Sequence, residues 1–420
     1  MSTDQPYDCV ILGGGPAGAT VGTLLADRGR RTLILEKSHF PRHHIGESLM
    51  PQTYWTFKRL GMLERLQASD FPRKQSVQFV SASGRESQPF YFTDRDPGEH
   101  SITWQVRRDR FDEMMLENAQ QKGAEVRQDV LVNEVRFQGS RAVGVQATAA
   151  GQSLDIAARV VVDATGQSAL LSRQLNLRYA DQKLRNASIY AYYRGATRDG
   201  GRNAGATIII HTPNRDGWFW SIPLPDDVTS IGVVGPPSNL FAGRGDDPLA
   251  TLEEEIARCP GMARRLEGAE RISQAYVTSD FSYLARRVAG DGWVLVGDAF
   301  GFLDPIYSSG VMLALKSGEF AADAIEQALQ VDDPSAERLG CFGPQLAAGM
   351  QLLRQLIYVF YDPKFSFGAF LEEHGAFHDH LVRLLIGDVF NDEVGQIFEV
   401  LGDYTSLPGP IELEAGVERP

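Results

Sequence analysis

Gly13, Gly15 and Gly18 stand at G-x-G-x-x-G spacing in the run Gly13-Gly14-Gly15-Pro16-Ala17-Gly18. Gly13 permits a tight turn, Gly15 lets the backbone approach a pyrophosphate, and Gly18 lets a helix pack closely on a strand. The helix that follows would aim its N-terminal amides and dipole at the phosphates. Glu36 ends the next β-rich run, 18 residues after Gly18, and is placed to accept hydrogen bonds from a ribose diol. The chemistry these residues serve is dinucleotide binding. Other sets are weaker. His374 and His378 could share a helix face, with His380 beyond them, but Gly375 interrupts the helix and no acid partner accompanies them, so no metal site is expected. Cys9, Cys259 and Cys341 lie far apart without a CxxC pair, which excludes a disulfide framework or zinc site and fits a reducing compartment.

These residues need a βαβ frame. Residues 7–12 form a short β-rich run ending in glycines, 16–27 have helical periodicity, and 31–36 form a second strand. A helix is expected over 108–122, short strands over 130–138, 142–149 and 153–158, and a buried strand over 160–163. Runs at 188–193, 206–212, 217–224 and 230–234 read as an antiparallel sheet, 292–296 as another buried strand and 310–328 as a long helix. The chain beyond about residue 330 is helical and aromatic, and its tail from 406 to 420, rich in Pro, Gly and Glu, is expected to fray. One α/β layer thus recurs at 1–75, 105–180 and 275–330, interleaved with β-rich 76–104 and 181–274 and followed by helical 331–420.

Two later runs distinguish between dinucleotides. Val160-Val161-Val162-Asp163-Ala164-Thr165-Gly166 resembles the Ala-Thr-Gly segment of FAD-binding oxidoreductases, and Trp293-Val294-Leu295-Val296-Gly297-Asp298-Ala299 resembles their Gly-Asp segment. The resemblance implies that Asp298 bonds the flavin ribityl chain with Ala299 packed nearby, that Arg108 reaches the FAD phosphates, and that Gln105 lies on the flavin side. It covers residues 5–325 and is to the group containing flavin monooxygenases, geranylgeranyl reductases and flavin-dependent halogenases. It implies a Rossmann-like FAD-binding domain, an antiparallel β-sheet substrate domain and a C-terminal helical segment. The chain contains no second G-x-G-x-x-G, so reducing equivalents are expected from a flavin reductase, the substrate or a transient nicotinamide.

Four segments bear on the reaction. His44-Ile45-Gly46-Glu47-Ser48-Leu49-Met50-Pro51 resembles the Gly-Glu-Ser loop covering the flavin in halogenases and reductases, which implicates Gly46 and Ser48. Trp218-Phe219-Trp220-Ser221-Ile222-Pro223 matches the Trp-x-Trp-x-Ile-Pro signature of halogenases, whose indoles keep an organic substrate off the flavin; reductases of the geranylgeranyl type carry a similar strand. Pro305-Ile306-Tyr307-Ser308-Ser309-Gly310 resembles the Pro-x-x-Ser-Ser-Gly run of halogenases acting on phenol- or pyrrole-type substrates. The amides of Ser309 and Gly310 open a helix and form an anion hole, for a halide or for the flavin edge. Tryptophan halogenases carry Glu where Tyr307 stands. Finally, Lys74 lies in a run resembling the one that bears the halogenase lysine, about 25 residues after the Gly-Glu-Ser loop. Burial there would raise its neutral amine fraction and let it guide an electrophilic halogen.

The resemblance therefore implies an FAD-dependent halogenase using reduced FAD, oxygen and chloride or bromide on an electron-rich aromatic, free or tethered to a carrier. The alternatives are a geranylgeranyl-reductase-like dehydrogenase acting on an isoprenoid or lipid, an aromatic monooxygenase, and a flavin-binding redox sensor without turnover. Over 420 residues the chain is 43% hydrophobic and 23% charged, an ordinary globular profile of about two or three domains. A net charge of −13 repels phosphate backbones, so nucleic-acid binding is not expected. No run of about 18 apolar residues occurs, so no membrane insertion is expected. The polar start suggests no leader, and a cytoplasmic location is expected.

Overall fold

The structure is a computed structural model and describes residues 5–279 and 282–414. β1 (Tyr7–Leu12), α1 (Pro16–Asp27) and β2 (Thr32–Leu35) form the opening βαβ unit. The two-residue β3 (Arg73–Lys74) precedes β4 (Ser76–Val80) and β5 (Phe90–Tyr91), and β6 (Thr103–Trp104) pairs back on β3 with Lys74 opposite Thr103. α2 (Arg108–Gln121) then leads through β7 (Glu125–Arg127), β8 (Val130–Gln138) and β9 (Arg141–Ala149) into β10 (Gln152–Asp163). The spacing predicts two strands at 153–158 and 160–163; the structure has one. Nothing in Ala157-Ala158-Arg159 breaks an extended chain, so β10 pairs antiparallel with β9 over its first half and parallel with β1 over its second.

A second layer follows: β11 (Ala187–Arg194), β12 (Thr207–His211), β13 (Trp218–Pro223), β14 (Val228–Gly235), α3 (Pro248–Arg258), α4 (Pro260–Arg265) and β15 (Tyr276–Ser279). The chain returns to the first sheet with β16 (Ala289–Gly290) and β17 (Trp293–Leu295), giving the order β16-β17-β10-β1-β2-β7. Its central strands β1, β2 and β17 read as near-continuous apolar runs because parallel strands are covered on both faces. One cover is the packed pair α1 and α5 (Ser309–Gln330), where a Cβ on Gly318 would come within 3.0 Å of the Ala17 carbonyl.

The second sheet runs β11-β14-β13-β12-β4-β5 and is antiparallel except where β12 meets β4. Period-2 alternation splits its side chains. Ile189, Ala191 and Phe219 pack with Leu252 and Met262 of α3 and α4, whereas Tyr190, Trp218 and Trp220 face the first layer. α6 (Gly343–Phe360), α7 (Phe367–Glu373) and α8 (His378–Ile386) close the C-terminal end, the helical segment implied by composition. Up to residue 414 the tail does not fray. Leu407 and Leu413 pack on the core, Arg354 donates to the Gly409 carbonyl at 2.9 Å, and the Glu414 amide donates to the Arg286 carbonyl at 2.8 Å. Residues 415–420 lie outside the described residues.

Candidate active site

The glycine loop leaves β1 through Gly13, whose φ of +105° suits glycine and whose Cβ would strike the Ala164 carbonyl. A Cβ on Gly18 would strike the Gly13 carbonyl, so the helix sits directly on the turn. Gly15 differs. Within 4 Å, a Cβ there would meet only the Arg42 guanidinium, at 3.3 Å. Glu36 accepts from the Gly14 amide at 2.8 Å and the Ser38 amide at 2.9 Å, which fixes its carboxylate beside the loop.

Two arginines share this end. Arg108 is buried; Nε and Nη2 donate to Asp112 at 2.7 and 2.9 Å, and Nη1 donates to the Ile45 and Gly46 carbonyls. It braces the 44–50 loop, where Gly46 has φ of +104°. Arg42 is the cation facing Gly15. Its Nη1 lies 3.2 Å from Asp112 but is among the buried polar atoms left without a hydrogen bond. Sequence reading passed over Arg42; the one available signal was a cation placed just after the strand that ends in Glu36. At the end of β17, the Gly297 amide bonds Ser317 Oγ at 2.8 Å, which ties the Asp298–Ala299 turn to α5. Burial pushes the Asp298 carboxyl up to about 7, against the charge of Arg108.

The 44–50 loop lies along β6, with Ser48 bridged to Gln105 and the Val106 amide bonded to the Glu47 carbonyl at 2.7 Å. Ser48 Oγ meets Thr207 Oγ1 at 2.8 Å, and Gln105 Nε2 donates to the same Thr207 hydroxyl at 3.0 Å. Lys74 enters this network from β3. Its ammonium donates to Ser48 Oγ at 2.8 Å and to the Leu49 carbonyl at 3.0 Å, with the Phe92 ring centroid 5.7 Å away. Lys74 is 4% exposed, and burial brings its pKa down to about 7. Neither hydrogen-bond partner carries a charge, so no ion pair offsets the cost of burying the ammonium.

Trp218 and Trp220 lie side by side on β13, with ring centroids 6.0 Å apart. Ser309 and Gly310 occupy the first turn of α5, where backbone amides lack intrahelical acceptors. The preceding turn is built by Asp304, whose carboxylate accepts from the Ile306 amide at 3.0 Å. A cavity of about 290 Å³ opens beyond, lined by Phe79, Phe90, His211, Tyr307, Phe360 and Phe367 among others. Its residues come from β4, β5, β12, α7, α8 and the end of α6, so part of the 358–370 aromatic run is wall and part is core. The histidines do not converge: His374 bonds Tyr404 at 2.7 Å while His378 stacks on Phe90.

The tryptophan halogenase family model matches residues 92–366, and the FAD dependent oxidoreductase model matches 8–175. The chain belongs to the flavin-dependent halogenase family. It is an FAD-dependent oxidoreductase of the halogenase type, and the reductase and monooxygenase alternatives are not favoured. It is 31% identical to the 1H-pyrrole-2-carbonyl-[peptidyl-carrier protein] chlorinase of Pseudomonas fluorescens, over 98% of this chain and 95% of the relative. It is 33% identical to the corresponding brominase of Pseudoalteromonas luteoviolacea, over 94% and 95%. The solved flavin-dependent brominase Bmp2 superposes with a TM-score of 0.85 at 32% identity, covering 95% of this chain and 99% of that one. Halogenases of this family use FAD with chloride or bromide. The residues present fit FAD: an open backbone cradle at Gly15 edged by Arg42 Nη2, and Gln105 Oε1 and Glu47 Oε2 buried without a donor. Among the described residues no helix is long and apolar enough to cross a membrane.

Proposed function

We propose that this halogenase acts on an electron-rich ring carried as a thioester on a carrier protein, a pyrrole-2-carbonyl group first, with chloride or bromide as halogen source. The observation that carries the reading is Lys74, buried with neutral partners on the loop that also carries Ser48. The two pyrrolyl-carrier relatives, each matched almost end to end, support the substrate class. The aromatic cavity of about 290 Å³ suits a small flat ring.

In this reading the Gly15 cradle and Arg42 hold the pyrophosphate, Glu36 the adenosine ribose and Asp298 the ribityl chain, while Arg108 keeps the 44–50 loop closed. Reduced FAD, when bound, supplies with oxygen the two oxidising equivalents that turn a halide into an electrophile. The Ser309 and Gly310 amides hold the anion. Trp218 and Trp220 keep the organic ring from the flavin side. Lys74, neutral for part of the time at pH 7, would take the halogen from hypohalous acid, one Nζ proton leaving with the hydroxyl as water, and pass it to the ring, whose displaced proton returns to Nζ. The segments 1–75, 105–180 and 275–330 hold FAD, 76–104 and 181–274 the substrate side, and 331–420 closes the cavity. A separate flavin reductase completes the system.

The test supplies the enzyme with a flavin reductase, FAD, oxygen, bromide and either pyrrolyl-carrier protein or free pyrrole-2-carboxylate. A bromine isotope pattern on the carrier-bound ring is expected. Bromination of the free acid with the carrier-bound form untouched would overturn the tethered substrate.

A further inference from the structure

Each signature indole donates into a hydroxyl, and for Trp218 that hydroxyl is bound in turn to a buried carboxylate. Trp218 Nε1–H donates to Tyr361 Oη at 2.9 Å, and Tyr361 Oη–H donates to Asp304, whose oxygens lie 3.0 and 3.2 Å away. Trp220 Nε1–H donates to Ser230 Oγ at 3.1 Å. A hydroxyl carries one proton. Once its lone pair accepts the indole N–H, its proton is committed to the carboxylate, and the pair has one orientation. For Trp218 the anchor is the more elaborate. Asp304 is 1% exposed and also accepts from Asn186 Nδ2 at 3.3 Å and the Ile306 amide at 3.0 Å. It therefore joins the turn before α5, the residue leading into β11, and the end of α6.

We infer that Asp304, acting through Tyr361, is a positioning residue that fixes the Trp218 indole and with it the partition between the aromatic cavity and the flavin side. Trp218 meets Phe360 edge-on at 6.4 Å, and Phe360 meets Tyr307 at 6.2 Å; both Phe360 and Tyr307 line the cavity. Tyr361 follows Phe360 directly, so one backbone turn holds both the wall and the clamp. Buried polar groups of this kind are costly unless all are paired, which makes a rotated indole with an orphaned N–H the unfavourable state. Freed of the clamp, the indole samples that state and the partition leaks.

The inference rests on the proposed function for its activity readout and on the contacts alone for its spectroscopic one. The FAD-loaded full chain is labelled with 15N-tryptophan; its five tryptophans give five indole signals. Trp218→Phe identifies the Trp218 signal by its disappearance. Tyr361→Phe is expected to shift that signal upfield, the others moving less, and Asp304→Asn to shift it in the same direction through Tyr361. A Trp218 signal unmoved in Tyr361→Phe overturns the clamp, whether or not Asp304→Asn folds. In turnover, Tyr361→Phe is expected to lower the ratio of halogenated product to hydrogen peroxide by roughly threefold to tenfold, the scale of one hydrogen bond. The same change in a Trp218→Phe background is expected to add nothing, and additive losses overturn the positioning role. If the wild type halogenates no ring, the proposed function fails, and the indole signal still decides the clamp.

Discussion

Lys74 is 4% exposed, its ammonium donates to one hydroxyl and one carbonyl, and burial brings its titration down to about 7. Its neutral fraction grows above that pH, so halogenation is expected to rise with pH through about 7; a rate falling across that range would contradict it. The stability consequence has a definite sign. The folded pKa lies below the unfolded value of 10.5, so between about 7 and 10.5 the unfolded chain binds the extra proton and stability rises with pH. Chemical denaturation of Lys74→Met is expected to lack that rise. Lys74→Ala is expected to keep FAD and still consume oxygen while losing product by about two orders of magnitude. Lys74→Arg is not expected to restore it, since a guanidinium stays protonated. At the other end of the site, Gly15→Val fills the space beside Arg42. A folded Gly15→Val protein is expected to lose FAD binding, read by flavin fluorescence.

At the scale of elements, α1 and α5 are the pair on which the cofactor end depends. Gly318 lets them touch, and its neighbour Ser317 holds the Gly297 amide at 2.8 Å, which sets the Asp298 turn. Gly318→Leu is expected to cost about 1–3 kcal/mol by overpacking and to weaken FAD binding without any change at a ligand-facing residue. A thermal melt with and without FAD measures both, and unchanged FAD affinity would separate the helix pair from the site. On the second sheet, alternation does two jobs with one strand. Phe219 belongs to the core behind the sheet, and Trp218 and Trp220 present the opposite face.

For the whole molecule, the C-terminal segment is a wall rather than an appendage. α6, α7 and α8 contribute Phe360, Phe367 and Leu381 to the cavity, and the tail to residue 414 is bonded back across Arg354 and Arg286. Truncation after Thr405 is expected to lower the melting temperature and halogenation while leaving FAD binding intact; product formation at wild-type rate would show that the wall stands without its tail. The chain contains one G-x-G-x-x-G. Reduction of its flavin by NADPH alone is expected to be slow and to be rescued by an added flavin reductase, whereas rapid stopped-flow bleaching by NADPH would refute this.

The dinucleotide loop was legible in the chain because its logic is local. Gly13, Gly15, Gly18 and Glu36 act within one βαβ unit, and glycine spacing directly encodes close backbone approach. The parallel sheet was legible for a related reason, since strands buried on both faces must be apolar throughout. What folding decided is which distant groups share a dry pocket. Resemblance singled out Arg108 alone, and it is packing that binds Arg108 through two hydrogen bonds to Asp112 and brings Arg42, ion-paired to the same carboxylate, up to Gly15. Lys74 could be singled out by resemblance, but its titration near 7 comes from burial, with its ammonium set against Ser48 on another segment. Tyr361 and Asp304 stand 143 and 86 residues from Trp218 along the chain. No periodicity records such a contact, because hydrogen-bond geometry depends on distances that exist only once the two sheets and the C-terminal helices have closed on one another.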